Sequence, residues 1–128
     1  MTDKRILTTP NAKMFWDKRG FVHVILLNNT SIFDKTEAEM HYEFACKLSG
    51  NKPYRTLVDT TDVAILPNDE AQDYSVQSTI LKKAEAIVVN SLPMRIVTKF
   101  YVKRFSTCNA KLFKNKEDAI SWLLKQPV

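Results

Sequence analysis

The chain has 128 residues, of which 45% are hydrophobic and 26% are charged. This length and composition predict one domain with a single core and exclude a disordered or collagen-like chain. Only two glycines are present, which argues against the glycine-rich phosphate loops of the common nucleotide-binding folds.

The net charge of +5 is unevenly distributed along the chain. Residues 1–81 contain nine basic and eleven acidic side chains, a balance of −2, whereas residues 82–128 contain ten basic and three acidic ones, a balance of +7. A basic C-terminal third is compatible with a nucleic acid, an anionic membrane or an acidic protein as partner. The simplest interpretation is a lysine-rich solvated surface.

Two cysteines, Cys46 and Cys108, are too few for a disulfide framework, so we expect reduced thiols in a cytoplasmic protein. No apolar run follows Lys4 and Arg5, so no signal peptide is expected. The longest purely aliphatic run is residues 24–27, which predicts no membrane-spanning segment.

The first ten residues are predicted to be a flexible segment, with a single domain over 11–128. Two strands follow, over Lys13–Asp17 and Phe21–Leu27, and the turn at 18–20 joins them in a hairpin. Asp34 and Glu37 have the spacing of a capping box, which predicts a helix that ends at Leu48 before Gly50.

The rest of the chain alternates strands and helices. A central strand is predicted over residues 53–59, a helix from Pro67 to about Lys83 and a short buried strand over 84–90. A third helix runs from residues 91–93 to near Phe105, a last strand covers 110–113, and Asn115 caps a final helix. The order ββαβαβαβα predicts an α/β domain whose mixed, mostly parallel sheet begins with a hairpin.

Four segments carry a family resemblance: residues 20–24, 52–59, 90–95 and 112–123. They resemble the SpoIIAA-like, or STAS, fold of the anti-sigma-factor antagonists, and more closely a group of small uncharacterised bacterial proteins with that fold. The resemblance covers most of residues 14–124. It implies the SpoIIAA-like fold and a function in binding, since none of the segments is a catalytic signature.

The resemblance also implies a position for a binding site. Anti-sigma-factor antagonists bind a partner protein through the loop after the third strand and the start of the next helix, where a serine accepts a phosphate. Here the corresponding position is Asn68 or Asp69, so the usual phosphorylation switch is not expected. The distant kinship of the fold with lipid-binding domains leaves a small apolar ligand open.

The predicted binding loop lies at the carboxyl end of the central strand, where sites gather in open α/β sheets. Its residues are Asp59, Thr60, Thr61, Asp62, Asn68, Asp69 and Glu70. A carboxylate there also suits a general base. Asp and Thr are common turn and cap residues as well, so a binding loop is preferred over a catalytic centre.

No metal or cofactor site is predicted. His23 and His41 lie on different elements, and Glu37 with His41 is a weak ligand pair for a metal that needs three or four donors. Neither cysteine has the surroundings of an activated thiol.

The third predicted helix has a basic face. Arg95, Lys99 and Lys103 recur at four-residue steps. The apolar residues beside them are Ile96, Val97, Phe100 and Tyr101. A basic amphipathic helix suits an anionic membrane or phosphates, although a plain solvated face has the same pattern.

These observations favour a non-enzymatic regulatory or binding module that acts on a protein partner or on a second copy of itself. The alternatives are a protein that binds a small apolar ligand or lipid, and a small enzyme with a pocket near Asp59. Nucleic-acid binding ranks third.

A homodimer is also predicted, because three large apolar residues, Met14, Phe15 and Trp16, lie in one short strand. If Phe15 faces the core, Met14 and Trp16 point to the opposite face, towards helices or a partner.

Overall fold

A six-stranded mixed sheet forms the middle of the protein, with helices on both of its faces. The computed structural model describes residues 5–27, 32–60, 67–105 and 108–128. The strands are β1 (Ile6–Thr8), β2 (Ala12–Asp17), β3 (Phe21–Leu26), β4 (Tyr54–Asp59), β5 (Lys82–Val88) and β6 (Asn109–Phe113). The helices are α1 (Lys35–Ser49), α2 (Asp69–Ser78), α3 (Leu92–Phe105) and α4 (Lys116–Leu123).

The strands lie in the sheet in the order in which they occur in the chain. β1, β2 and β3 pair antiparallel, whereas β3, β4, β5 and β6 pair parallel. Each parallel strand is added on the same side of the one before it, so right-handed crossovers place α1, α2 and α3 on one face. α4 packs on the opposite face, against β4, β5 and β6. The predicted mixed α/β fold is therefore confirmed.

Each face of the sheet has its own core. Beneath α1, the buried core includes Met14, Val24 and Ala45, and Trp16 packs against it. Beneath α4, it includes Phe21, Leu57 and Leu123. The alternation along β2 and β3 produces this division, because successive side chains of a strand point to opposite faces.

The helix starts agree with the predicted caps at Asp34 and Asn115, whereas Asn68, predicted as a binding-loop residue, caps the helix that was expected to begin at Pro67. The side chains of Asp34, Asn68 and Asn115 each accept a hydrogen bond from the backbone N–H three residues later. α1 ends at Gly50, whose φ of 68° lies in the left-handed region that favours glycine. Ala38, Ala45 and Leu48 of α1 are buried and face the sheet.

Several element boundaries differ from the predictions, and β5 covers Lys82–Val88 instead of 84–90. The flexible segment predicted over 1–10 is wrong for residues 6–8, because β1 pairs with β2 and Leu7 packs against the core beneath α1. The second helix ends at Ser78 instead of continuing to Lys83. The Thr79 hydroxyl donates to the Ser75 carbonyl, and a turn from Thr79 to Lys82 then leads into β5.

In the ranges that the structure describes, no helix has the length and apolar character required to cross a bilayer.

Candidate functional site

A cavity of about 170 Å³ lies between the sheet and the layer formed by α1, α2 and α3. Its floor is a row of apolar side chains that crosses four neighbouring strands. Met14 pairs with Val24, Val24 with Val58 and Val58 with Ile87. Because paired residues point to the same face, the row presents one apolar surface to the helices.

The polar part of the cavity lies in the middle of the sheet. Thr56 is 5% exposed, and its Oγ1 is buried without a hydrogen-bond partner. Glu85 pairs with Thr56 in the register of β4 and β5, and it also lines the cavity. The Lys82 ammonium lies 3.0 Å from Glu85 Oε2. A buried hydroxyl without a partner is costly, which makes Thr56 Oγ1 a ready hydrogen-bonding group for a molecule in the cavity.

Helices line the cavity on the other side. Met94 and Thr98 of α3 contribute to its lining, and Thr98 is 5% exposed. His41 and Ala45 contribute from α1. The arrangement is a mainly apolar pocket with a few polar groups, which is the usual form of a small-molecule site.

Asp59 and Thr60 of the predicted binding loop lie on opposite faces of the sheet. Asp59 faces α4, where its carboxylate lies 3.4 Å from the Lys116 ammonium. Thr60 faces the cavity side, is 9% exposed and donates from its hydroxyl to the Val88 carbonyl. The two are neighbours in an extended chain, so their side chains point to opposite faces.

The other described residues of the predicted loop lie together at the start of α2. Asn68 caps α2 and lies beside exposed Asp69 and Glu70 in its first turn. Thr61 and Asp62 lie outside the described residues.

Asp59 and His41, a carboxylate and an imidazole that could act together in acid–base chemistry, lie on opposite faces of the sheet. Asp59 is on the α4 side, whereas His41 lines the cavity on the α1 side. His23 is on the α4 side, with its ring 4.8 Å from that of Phe15. Burial lowers the pKa of His23, and the nearby Lys116 charge lowers it further. A general base built from Asp59 and His41 is therefore not assembled.

Glu37 has a different role from the one its capping-box position indicated. Its carboxylate accepts hydrogen bonds from the Thr9 hydroxyl at 2.6 Å, the Asn11 backbone N–H at 2.8 Å and the Asn11 side-chain amide at 2.7 Å. His41 Nε2 lies 2.8 Å from Thr9 Oγ1 and 3.4 Å from Glu37 Oε2. These bonds fasten the β1–β2 connection to α1, and burial lowers the pKa of His41.

α3 shows its predicted basic residues in two settings. Lys99 and Lys103 are exposed, whereas Arg95 is half-buried, with a buried Nε that has no partner. Ile96, Val97 and Phe100, the apolar residues beside them, are 51%, 44% and 72% exposed. The inward side of α3 is instead formed around Thr98. The side chain of Tyr101 lies outside the described residues.

Metal ligands do not cluster in the described part of the chain. Cys46 and Cys108 do not form a disulfide, and both have intermediate exposure.

Sequence reasoning missed Thr56 and the apolar row beneath the cavity. The signal for Thr56 is a hydroxyl at an inward position of the central strand, between Tyr54 and Val58, where an aliphatic side chain would be expected. The row has no sequence signal, because its four members come from four strands and only the sheet register aligns them.

Comparison with known proteins agrees with this architecture. A family model described as a domain of unknown function, DUF7793, matches residues 15–126. The chain belongs to the DUF7793 family. Comparison with curated proteins finds no match to this DUF7793 chain.

A solved structure supports the fold of the DUF7793 chain. It is an uncharacterised protein of the DUF3478 family with a SpoIIAA-like fold from Shewanella loihica PV-4. The two chains share 17% sequence identity with a TM-score of 0.62, and the match covers 96% of this chain and 98% of that chain. The predicted SpoIIAA-like fold is confirmed by this likeness.

We predict that replacing Glu37 by Ala lowers the free energy of unfolding by about 3 kcal/mol or more, since it removes a buried acceptor from three donors at once. Glu43→Ala, at an exposed position of the same helix, should change it by no more than about 0.5 kcal/mol. Urea unfolding of both variants measures the difference. Equal stabilities would show that the Glu37 hydrogen bonds do not hold the β1–β2 connection.

Proposed function

We propose that this protein is a non-enzymatic binding module that holds a small, mainly apolar molecule in the cavity between the sheet and α1, α2 and α3. The observation that carries the proposal is Thr56 Oγ1, a buried hydroxyl without a protein partner on the wall of an apolar cavity. The ligand that fits is one aromatic ring or a short aliphatic chain with a single hydroxyl or carbonyl group.

The size of the cavity supports this class of ligand. An engineered apolar cavity of about 150 Å³ in another protein binds benzene, and the cavity here has about 170 Å³. A single ring with one polar substituent therefore fills it, whereas a nucleotide does not.

The polar groups of the cavity support the position of the substituent. Thr56 and Glu85 are paired neighbours in the sheet, so a hydroxyl placed between them can donate to one and accept from the other. The remaining floor, formed by Met14, Val24 and Ile87, contacts the apolar part of the ligand.

The positions of the candidate catalytic groups support binding without catalysis. A general base must reach the reacting proton directly or through one water molecule. Asp59 and His41 are separated by the sheet, and the Asp59 carboxylate is close to Lys116. The regulatory role and the cytoplasmic location expected from the sequence stay predictions.

We predict that phenol binds about fivefold more tightly than benzene, because one neutral hydrogen bond contributes about 1 kcal/mol. Thr56→Val keeps the volume and removes the hydroxyl, so it should reduce the preference for phenol and leave benzene binding intact. The matched control is Thr8→Val, at an exposed strand position. Titrations followed by NMR chemical shifts measure all three proteins.

Substitutions that fill the cavity test whether it is the ligand site, independently of the Thr56 hydroxyl. Ala45→Leu and the smaller change Ala38→Val both add volume to the lining, and each should weaken binding of both probes. If neither probe binds the unmodified protein, or if both filled variants bind as well as it does, the cavity is not the ligand site.

A second candidate function is self-association, and a specific surface favours it. α4 covers β4, β5 and β6, whereas the same face of β1, β2 and β3 presents Ile6 at 56% exposure with half-buried Phe15 and Ile25. Met14 and Trp16 point to the opposite face, towards α1. A homodimer through this half of the sheet covers the apolar side chains and the edge strand β1 together.

We predict that sedimentation at increasing concentration reveals a dimer of the 14.7 kDa chain. Ile6→Lys should weaken it, because a charge on the covered face must be desolvated. Ile32→Lys, at an exposed apolar residue before α1, is the matched control. A monomer that is unchanged at all concentrations excludes self-association.

A further inference from the structure

One end of the sheet collects exposed lysines from six different parts of the chain. At this end the parallel strands begin and the helices finish. We call it the basic pole, and its lysines are Lys18, Lys47, Lys52, Lys83, Lys103 and Lys125. The topology brings them together because β2 ends where β3 begins, while each crossover helix returns the chain to the start of the next strand.

Direct contacts confirm that the end of α4 belongs to this pole. The Arg55 guanidinium, near the start of β4, donates to the Leu124 carbonyl at 3.0 Å. Asn109, the first residue of β6, donates from its side-chain amide to Gln126 Oε1 at 2.6 Å. Lys125 therefore lies at the same end as the strand starts.

The acidic side chains on the strands and turns of this pole, in the described ranges, are already ion-paired. Asp17 is 2.9 Å from Arg19, and Glu85 is 3.0 Å from Lys82. The opposite end has the acidic first turns of α2 and α4, with Asp69, Glu70, Glu117 and Asp118. The molecule is thus polarised in charge along the direction of its strands.

Large apolar side chains are exposed on the same pole. Ile80, between α2 and β5, and Phe100, in the second half of α3, are each 72% exposed, and Leu124 is 40% exposed. Favourable interaction with helix dipoles accounts for lysines at helix ends, such as Lys47 and Lys103. It accounts neither for Lys18, Lys52 and Lys83, which lie outside the helices, nor for the exposed apolar groups.

We propose that the basic pole docks on an anionic membrane surface. The lysines would lie against the lipid phosphates, with Ile80 and Phe100 at the boundary of the acyl chains. Lysine suits such a surface because its long stem packs on apolar material while its ammonium stays in water. Arginine is the residue favoured at protein interfaces and in bidentate phosphate recognition, and phosphate contacts with a nucleic acid do not need exposed aliphatic groups.

The experiment compares vesicles of phosphatidylcholine alone with vesicles that contain phosphatidylglycerol as the minor lipid, using the full chain and co-sedimentation. We expect binding to the anionic vesicles that weakens as salt is added. The double variant Lys83→Glu with Lys103→Glu should lower the partition constant at least about tenfold, since each lysine near an anionic surface contributes about fivefold. Lys35→Glu with Lys114→Glu makes the same charge change at the opposite end and should retain binding.

A second pair of variants tests the apolar contribution. Ile80→Ser with Phe100→Ser should lower the partition constant about tenfold or more by removing two groups from the acyl boundary. Ile32→Ser with Leu92→Ser removes two exposed apolar groups of similar size from the opposite end and should have little effect. All four positions are exposed, so these substitutions leave the core intact.

Four results would overturn the proposal. The first two are equal binding to the two kinds of vesicle and equal losses of binding in the test and control variants. The third is binding of duplex DNA that the double variant Ile80→Ser with Phe100→Ser does not change. The fourth is a dimer, formed without lipid, that the same double variant dissociates. These outcomes are independent of ligand binding in the cavity, because the binding of phenol and benzene is measured without lipid.

Discussion

The addition of each parallel strand on the same side of the last is the constraint on which the rest of the structure depends. With right-handed crossovers it places α1, α2 and α3 together on one face and leaves α4 to cover part of the other. The three-helix layer creates a cavity above the row from Met14 to Ile87. The same path returns every crossover helix to one end of the sheet, where the lysines collect.

Two buried polar groups show how differently a core can treat a side chain that needs hydrogen bonds. Glu37 is 4% exposed and accepts bonds from Thr9 and Asn11, so its burial stabilises the attachment of the β1–β2 connection. Thr56 is equally buried, but its Oγ1 has no partner. Most buried polar groups are hydrogen-bonded. Of the five buried side-chain atoms without a partner in the described residues, Thr56 Oγ1 is the one whose residue lines the cavity, so the energetic cost of its burial in the free protein can be offset by a bound ligand.

Local signals predicted much of the fold, because caps and strand patterns act over a few residues. Asp34 and Asn115 were identifiable as caps from the residues that follow them, whereas Asn68 was assigned to the binding loop. β1 was missed, since a three-residue edge strand depends on its neighbour more than on its own sequence. The outward side of α3 was equally unpredictable: only packing over the cavity determines that Thr98 faces inward while Phe100 faces solvent.

The central claim, that the cavity is a binding site, is tested most directly by intermolecular NOEs between bound phenol and the methyl groups of the protein. The account predicts NOEs from the ring to Val24, Ile87 and Met94, three residues that meet only in the cavity. NOEs confined to exposed methyl groups, such as those of Ile80 and Ile96, would contradict it and would show that phenol binds the surface.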